Sequence, residues 1–104
     1  MRNIDNAVWD TLNNLQNIDS LMYRVKRSQN ANEWKIYIRN QSNTRSLKLI
    51  IGTDSTGQYV DHVLVYHRLG FSVEEEHSLM HCLLYNLREP NEMSTNTETS
   101  TSSG

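Results

Sequence analysis

Three segments alternate apolar and polar residues with a period of two: LMYRVKRS at residues 21–28, EWKIYIRN at 33–40 and SLKLIIG at 46–52. Such alternation predicts β-strands, because successive side chains of a strand point to opposite faces of its sheet. The linkers SQNAN and NQSNT are short and rich in turn-forming residues, which favours an antiparallel meander. The apolar positions of the second and third segments are Trp34, Ile36, Ile38, Leu47, Leu49 and Ile51.

A fourth segment, YVDHVLVYHR at residues 59–68, follows the turn sequence TDSTG. Its apolar residues fall on both faces, with Val63 and Val65 on one and Val60, Leu64 and Tyr66 on the other, which is the bare face if both helices cover the first. We therefore expect a fourth strand that is covered in part on both sides.

Helical patterns flank these four strands. Ile4, Ala7 and Val8 begin an apolar stripe at helical spacing. The stripe predicts a first helix that Asn3 or Asp5 can cap and that runs to about Asn17. The segment FSVEEEHSLMHCLLYNLREP at residues 71–90 contains a capping box, with Ser72 followed by Glu75, and it stops at Pro90.

The order of these elements is α-β-β-β-β-α, which predicts an α+β fold. We expect a two-layer sandwich in which a four-stranded antiparallel meander sheet carries both helices on one face. Residues 1–92 would form a single domain. Residues 93–104, rich in Ser and Thr, would form a disordered tail, because they have too little apolar surface to offset the entropy of ordering.

The composition bears on the cellular compartment of the protein and on its self-association. Cys82 is the only cysteine, so no intrachain disulfide can form and a reducing compartment is expected. The amino terminus lacks the apolar centre of a signal peptide, and no apolar run approaches the length of a membrane span. We therefore expect a cytoplasmic protein. The core is small, with 37% hydrophobic residues, so self-association is also expected.

Charge is distributed unevenly along the chain. Residues 20–70 contain eight of the ten Lys and Arg residues but only three of the twelve acidic ones. The net charge of −2 therefore conceals a basic middle between acidic ends. A local positive field attracts polyanions even when the whole molecule is slightly acidic.

If both helices cover one face of the sheet, the other face is bare, basic and partly aromatic. Cations can neutralise phosphates while tyrosine rings stack on bases, as on other open four-stranded sheets. The sequence thus predicts a non-enzymatic module that binds a polyanion, with single-stranded nucleic acid as the favoured partner. The expected binding residues are Arg24, Lys26, Lys35, Tyr37, Arg39, Lys48, His62, Tyr66 and Arg68.

A second hypothesis is a small regulator or inhibitor that acts by protein–protein contact, of the kind encoded by phages and other mobile elements. It would bind an acidic protein surface or a second copy of itself, giving a homodimer. Its interface candidates are Trp9, Met22, Ile50 and Leu64. The simplest alternative is a solvated polar face, which accounts for the cations but not for the apolar and aromatic residues among them.

One detail depends on strand register. If the first hairpin pairs Val25 with Trp34, then Arg24 lies opposite Lys35, and like charges in that position cost stability. An anionic ligand would relieve this repulsion.

Catalytic and metal signals are weak. His77 and His81 have a spacing that can hold zinc, but no third ligand is evident. Cys82 follows His81 directly, so the two side chains point about 100° apart on a helix. Glycine-rich phosphate loops and nucleophile motifs are missing from the sequence. We therefore expect no enzymatic activity, no cofactor and no metal.

Overall fold

The computed structural model describes residues 3–15, 20–28 and 32–88. The expected tail, residues 93–104, lies outside this part of the chain. The elements are α1 (Ile4–Asn14), β1 (Leu21–Arg27), β2 (Glu33–Asn40), β3 (Ser46–Thr53), β4 (Val60–Leu69) and α2 (Val73–Leu87). Their order confirms the expected α-β-β-β-β-α arrangement.

Both described helices begin at side-chain caps. The Asn3 carboxamide oxygen accepts a hydrogen bond from the Asn6 backbone N–H at 3.1 Å, so Asn3 rather than Asp5 caps α1. The expected capping box begins α2: Ser72 Oγ accepts from the Glu75 N–H at 3.0 Å, and Glu75 Oε1 accepts from the Ser72 N–H at 2.8 Å. These bonds satisfy backbone donors that helices leave free in their first turn.

The four strands form one antiparallel sheet in the order β1-β2-β3-β4. Ile36 pairs with Leu49, and Ile38 pairs with Leu47. Because paired residues share a face, the alternating apolar residues of the sequence form one continuous apolar surface. The antiparallel meander is confirmed.

Both helices pack on this surface, and they contact each other. Asn86 of α2 also donates a hydrogen bond to the Thr11 hydroxyl of α1 at 3.0 Å. Each fully buried Leu or Ile side chain contributes about 1.5–3 kcal/mol of stability. The buried apolar residues are Ile4, Ala7, Val8, Ile36, Ile38, Leu47, Leu49, Ile51, Phe71, Leu79, Leu83 and Leu87.

The register of the first hairpin differs from the expected one. Val25 pairs with Ile36, not Trp34, because strand pairing continues through Arg27 and Trp34 before the loop. The predicted pair of Arg24 and Lys35 is therefore wrong. Like charges still lie opposite each other two residues further along β1, where Lys26 pairs with Lys35.

Strand β4 has two register shifts against β3, which leave Asp61 and Tyr66 without a partner. An inserted residue moves the side chains beyond it to the opposite face. Arg68 consequently lies opposite Leu47 on the helix side, and its Nη1 donates to Glu76 Oε1 of α2 at 3.0 Å. The prediction that Arg68 belongs to the bare face is wrong. His67 takes that position, opposite Lys48.

Candidate binding face of the sheet

The open face is the side of the sheet that faces away from the helices. It combines cations, two tyrosines and several apolar side chains on all four strands. Apart from Val60 and Arg68, the structure brings together the residues that the sequence assigned to this face. Val60 pairs with Thr53 beyond the second register shift and packs against the core, so its assignment to this face is wrong. The open face consists of Met22, Arg24, Lys26, Lys35, Tyr37, Arg39, Lys48, Ile50, His62, Leu64, Tyr66 and His67.

Five cations of this face have no ion-pair partner among the described residues: Arg24, Lys26, Lys35, Arg39 and Lys48. Arg39 donates only to the backbone carbonyl of Asn40, at 3.1 Å. An uncompensated group of cations generates a positive potential that favours an anionic ligand.

Two other cations, Arg45 and Arg68, are instead paired with α2. Arg45 Nη2 lies 3.1 Å from Glu75 Oε2, and Arg68 Nη1 lies 3.0 Å from Glu76 Oε1. The Arg45 guanidinium also lies 4.4 Å from the centre of the Phe71 ring. The acidic first turn of α2 thus pairs with Arg45 and Arg68 rather than with the cations of the open face.

Acidic side chains approach the open face at one end only. Glu33 begins β2 opposite Gly52, and Gly52 in turn pairs with His62. Asp61 Oδ2 lies 3.3 Å from His62 Nδ1. His62 is therefore beside a carboxylate, whereas Arg24, Arg39 and Lys48 lie toward the β2–β3 turn.

Two tyrosines occupy the middle of the open face. Partial burial and a hydrogen bond with Tyr37 raise the pKa of Tyr66, so its phenol is neutral at physiological pH. Arg24 lies 5.4 Å from the centre of the Tyr37 ring and covers part of it. Tyr66 is 46% exposed, and it is thus the more accessible ring for stacking.

Apolar side chains adjoin the tyrosines. Leu64 is 54% exposed and Met22 is 38% exposed, while Ile50 is half-buried between Lys35 and Leu64. Exposed apolar surface among polar residues is typical of a binding region. Trp9, by contrast, is exposed on α1 in the helix layer and does not belong to this surface.

A recess of about 800 Å³ lies at one end of the open face. Its lining includes Arg24, Arg39, Lys48, Ser46 and His67. Ser46 Oγ and His67 Nε2 are 2.7 Å apart and share a hydrogen bond. The sequence analysis missed this pair, since only the register shift at Tyr66 places His67 on the open face.

The other residues considered for chemistry do not assemble into a centre within the described part of the chain. His77 and His81 are exposed on α2, and no group of three or more His, Cys, Asp or Glu side chains there is placed to hold a metal ion. Cys82 is half-buried, with its sulfur 3.5 Å from the Asn86 amide nitrogen.

None of the described helices is both long and apolar enough to cross a lipid bilayer. Comparison of the chain with protein-family models, with curated proteins and with solved structures finds no match.

Proposed function

We propose that this protein is a non-enzymatic module that binds single-stranded nucleic acid on the open face. The observation that carries the proposal is the group of five unpaired cations around Tyr37 and Tyr66 on one bare sheet surface. Phosphates would contact Arg24, Lys26, Lys35, Arg39 and Lys48, and His62 would lie at the edge of the interface.

The aromatic residues favour single strands over duplexes. Bases of a single strand are free to stack on protein rings, and each stacked base contributes about 1–3 kcal/mol. Tyr66 is exposed for such a contact. A sheet four strands wide also offers a broad, shallow surface, which suits an extended strand better than the groove of a duplex.

The test is fluorescence anisotropy with labelled single-stranded DNA and RNA of about twelve nucleotides, a length that suits one small domain. The variant Tyr66→Ala should raise the Kd about 5- to 150-fold, because it removes one stacking contact. Adding Arg39→Ala should weaken binding further.

The chain supplies matched controls on α2. Tyr85 is 54% exposed, and Arg88 is an exposed residue at the helix end, so Tyr85→Ala with Arg88→Ala removes the same groups away from the open face. The control should bind like the natural protein. Equal effects of the two double variants, or no binding to any oligonucleotide, would reject the proposal.

The exposed apolar residues support a second candidate, a regulator or inhibitor that occupies an acidic protein surface or a second copy of this chain. Met22 and Leu64 would lie at the centre of that contact with Ile50, and Trp9 would anchor a separate one. Sedimentation of the natural protein and Leu64→Ala tests the homodimer: dissociation of a dimer by Leu64→Ala supports it. A natural protein that stays monomeric at all concentrations contradicts it.

A further inference from the structure

The recess lies where the open face ends against the β2–β3 turn. Asn43, at the tip of this turn, belongs to its lining. The Asn40 side chain organises the turn, accepting from the Arg45 N–H at 3.0 Å and donating to the Thr44 hydroxyl at 2.8 Å. The turn therefore bounds the recess at this end of the open face.

Three of the five unpaired cations line this single recess: Arg24, Arg39 and Lys48. Its lining contains no carboxylate, whereas the opposite end of the face carries Glu33 and Asp61. The recess at the turn end therefore carries cations without carboxylates in its lining, whereas Lys26 and Lys35 lie toward the end that carries Glu33.

The recess also holds polar groups that can complete a phosphate site. Ser46 and His67 share their 2.7 Å hydrogen bond at its wall. When His67 Nε2–H donates to Ser46 Oγ, the Ser46 hydroxyl proton stays free to donate to a phosphate oxygen, and the bond from His67 holds the hydroxyl in place before a ligand arrives.

We propose that this recess binds a terminal phosphomonoester of the bound strand, an inference that rests on the proposed nucleic-acid function. A phosphomonoester carries a charge of about −1.5 to −2 at neutral pH, while an internal phosphodiester carries a single charge. Three cations in one recess match the more highly charged group, and the position of the recess at the end of the sheet, beside Asn43, matches a chain end. The Ser46 hydroxyl, held by His67, supplies a hydrogen bond that a terminal hydroxyl would use poorly.

The experiment compares three competitors of one sequence at constant salt: an oligonucleotide with a 5′-phosphate, one with a 3′-phosphate and one with hydroxyls at both ends. Each displaces the same labelled strand. One phosphorylated end should bind about tenfold more tightly than the hydroxyl form, and the two arms identify which end enters the recess.

Variants assign the preference to the recess. Ser46→Ala and His67→Gln should each lower the ratio of the affinities for the phosphorylated and the hydroxyl form, whatever their effect on overall affinity. Ser78→Ala and His77→Gln, exposed positions on α2, are the matched controls and should keep the full preference. Circular dichroism of all four variants verifies that they are folded.

Three results would overturn the inference. Equal affinity for all three competitors rejects the terminal site but leaves the proposed function intact. A preference that survives both Ser46→Ala and His67→Gln places the phosphate elsewhere. No binding of any strand rejects the inference together with the proposed function.

Discussion

Gly70 connects β4 to α2 in a conformation that few other residues tolerate. Its φ is +74°, in the left-handed region that favours glycine. A Cβ at this position would collide with the Thr44 carbonyl oxygen and lie 2.9 Å from Arg45 Cγ. Gly70 thus lets the chain pass close to the β2–β3 turn.

This close approach leads to a prediction for Gly70→Ala. Gly57 has a similar φ of +76°, but a Cβ there would have no atom within 4 Å. Gly57→Ala should therefore lower the free energy of unfolding only by the left-handed strain, about 1–2 kcal/mol. Gly70→Ala should lower it further because of the collision. Urea unfolding of both variants measures the difference, and equal losses would contradict the collision.

Glu75 makes the stability of α2 sensitive to acid. The hydrogen bond from the Ser72 backbone, together with the nearby Arg45, holds the pKa of its carboxyl below the ordinary value of 4.5. A carboxyl whose pKa is lower in the folded state stabilises the protein above the unfolded pKa. That stabilisation is lost as the pH falls through the lowered value.

The variant Glu75→Gln tests this pH dependence, because Gln keeps the acceptor of the capping box but removes the charge. The natural protein should be more stable than Glu75→Gln at pH 7, and the difference should shrink toward pH 3. Urea unfolding at both pH values measures it. A difference that stays constant or grows in acid would show that the Glu75 charge does not stabilise the fold.

At the scale of the elements, the pairing of β1 with β2 places two like charges opposite each other on the open face. Lys26 lies directly opposite Lys35, and like charges at that spacing are destabilising. Such repulsion is relieved when an anion binds between them. The two lysines therefore fit the proposed binding role better than a purely structural one.

Lys35→Glu should consequently stabilise the protein by about 0.2–1 kcal/mol while weakening nucleic-acid binding. Lys48 lies opposite Tyr37 and His67, so Lys48→Glu relieves no lysine pair and should weaken binding without the gain in stability. Thermal unfolding and anisotropy of both variants give the comparison. An unchanged or lowered stability of Lys35→Glu would contradict a destabilising repulsion between the two lysines.

At the scale of the whole molecule, charge is segregated between the two layers. Glu75 and Glu76 of α2 pair with Arg45 and Arg68, while the five cations of the open face have no ion-pair partner in the part of the chain that the structure describes. The net charge of −2 therefore does not describe the local charge that a ligand encounters on that face.

We expect binding to depend on salt according to this local charge. Each phosphate of a single strand that is neutralised contributes about −0.7 to the slope of log K against log salt. Five such contacts would give a slope of about −3.5, even though the molecule as a whole has a net negative charge. Anisotropy titrations over a range of salt concentrations measure it, and a slope near zero would show that the cations do not contact phosphates.

Periodicity alone determined most of the fold. The alternation through Ile36 and Leu49 and the cap at Ser72 depend on neighbours close in the chain, so the strands, the second helix and the basic character of the bare face were all predictable. These patterns reflect backbone geometry and the burial of apolar surface, which act locally.

Only the tertiary structure decided which charges remain free. The register shift at Tyr66 moves Arg68 toward Glu76 and brings His67 to Ser46. The pairing of Lys26 with Lys35 likewise depends on where the first hairpin turns. Strand register arises from contacts between segments distant in sequence, and a shift of one residue reverses the face on which each following side chain lies. No pattern within β4 itself signals that shift.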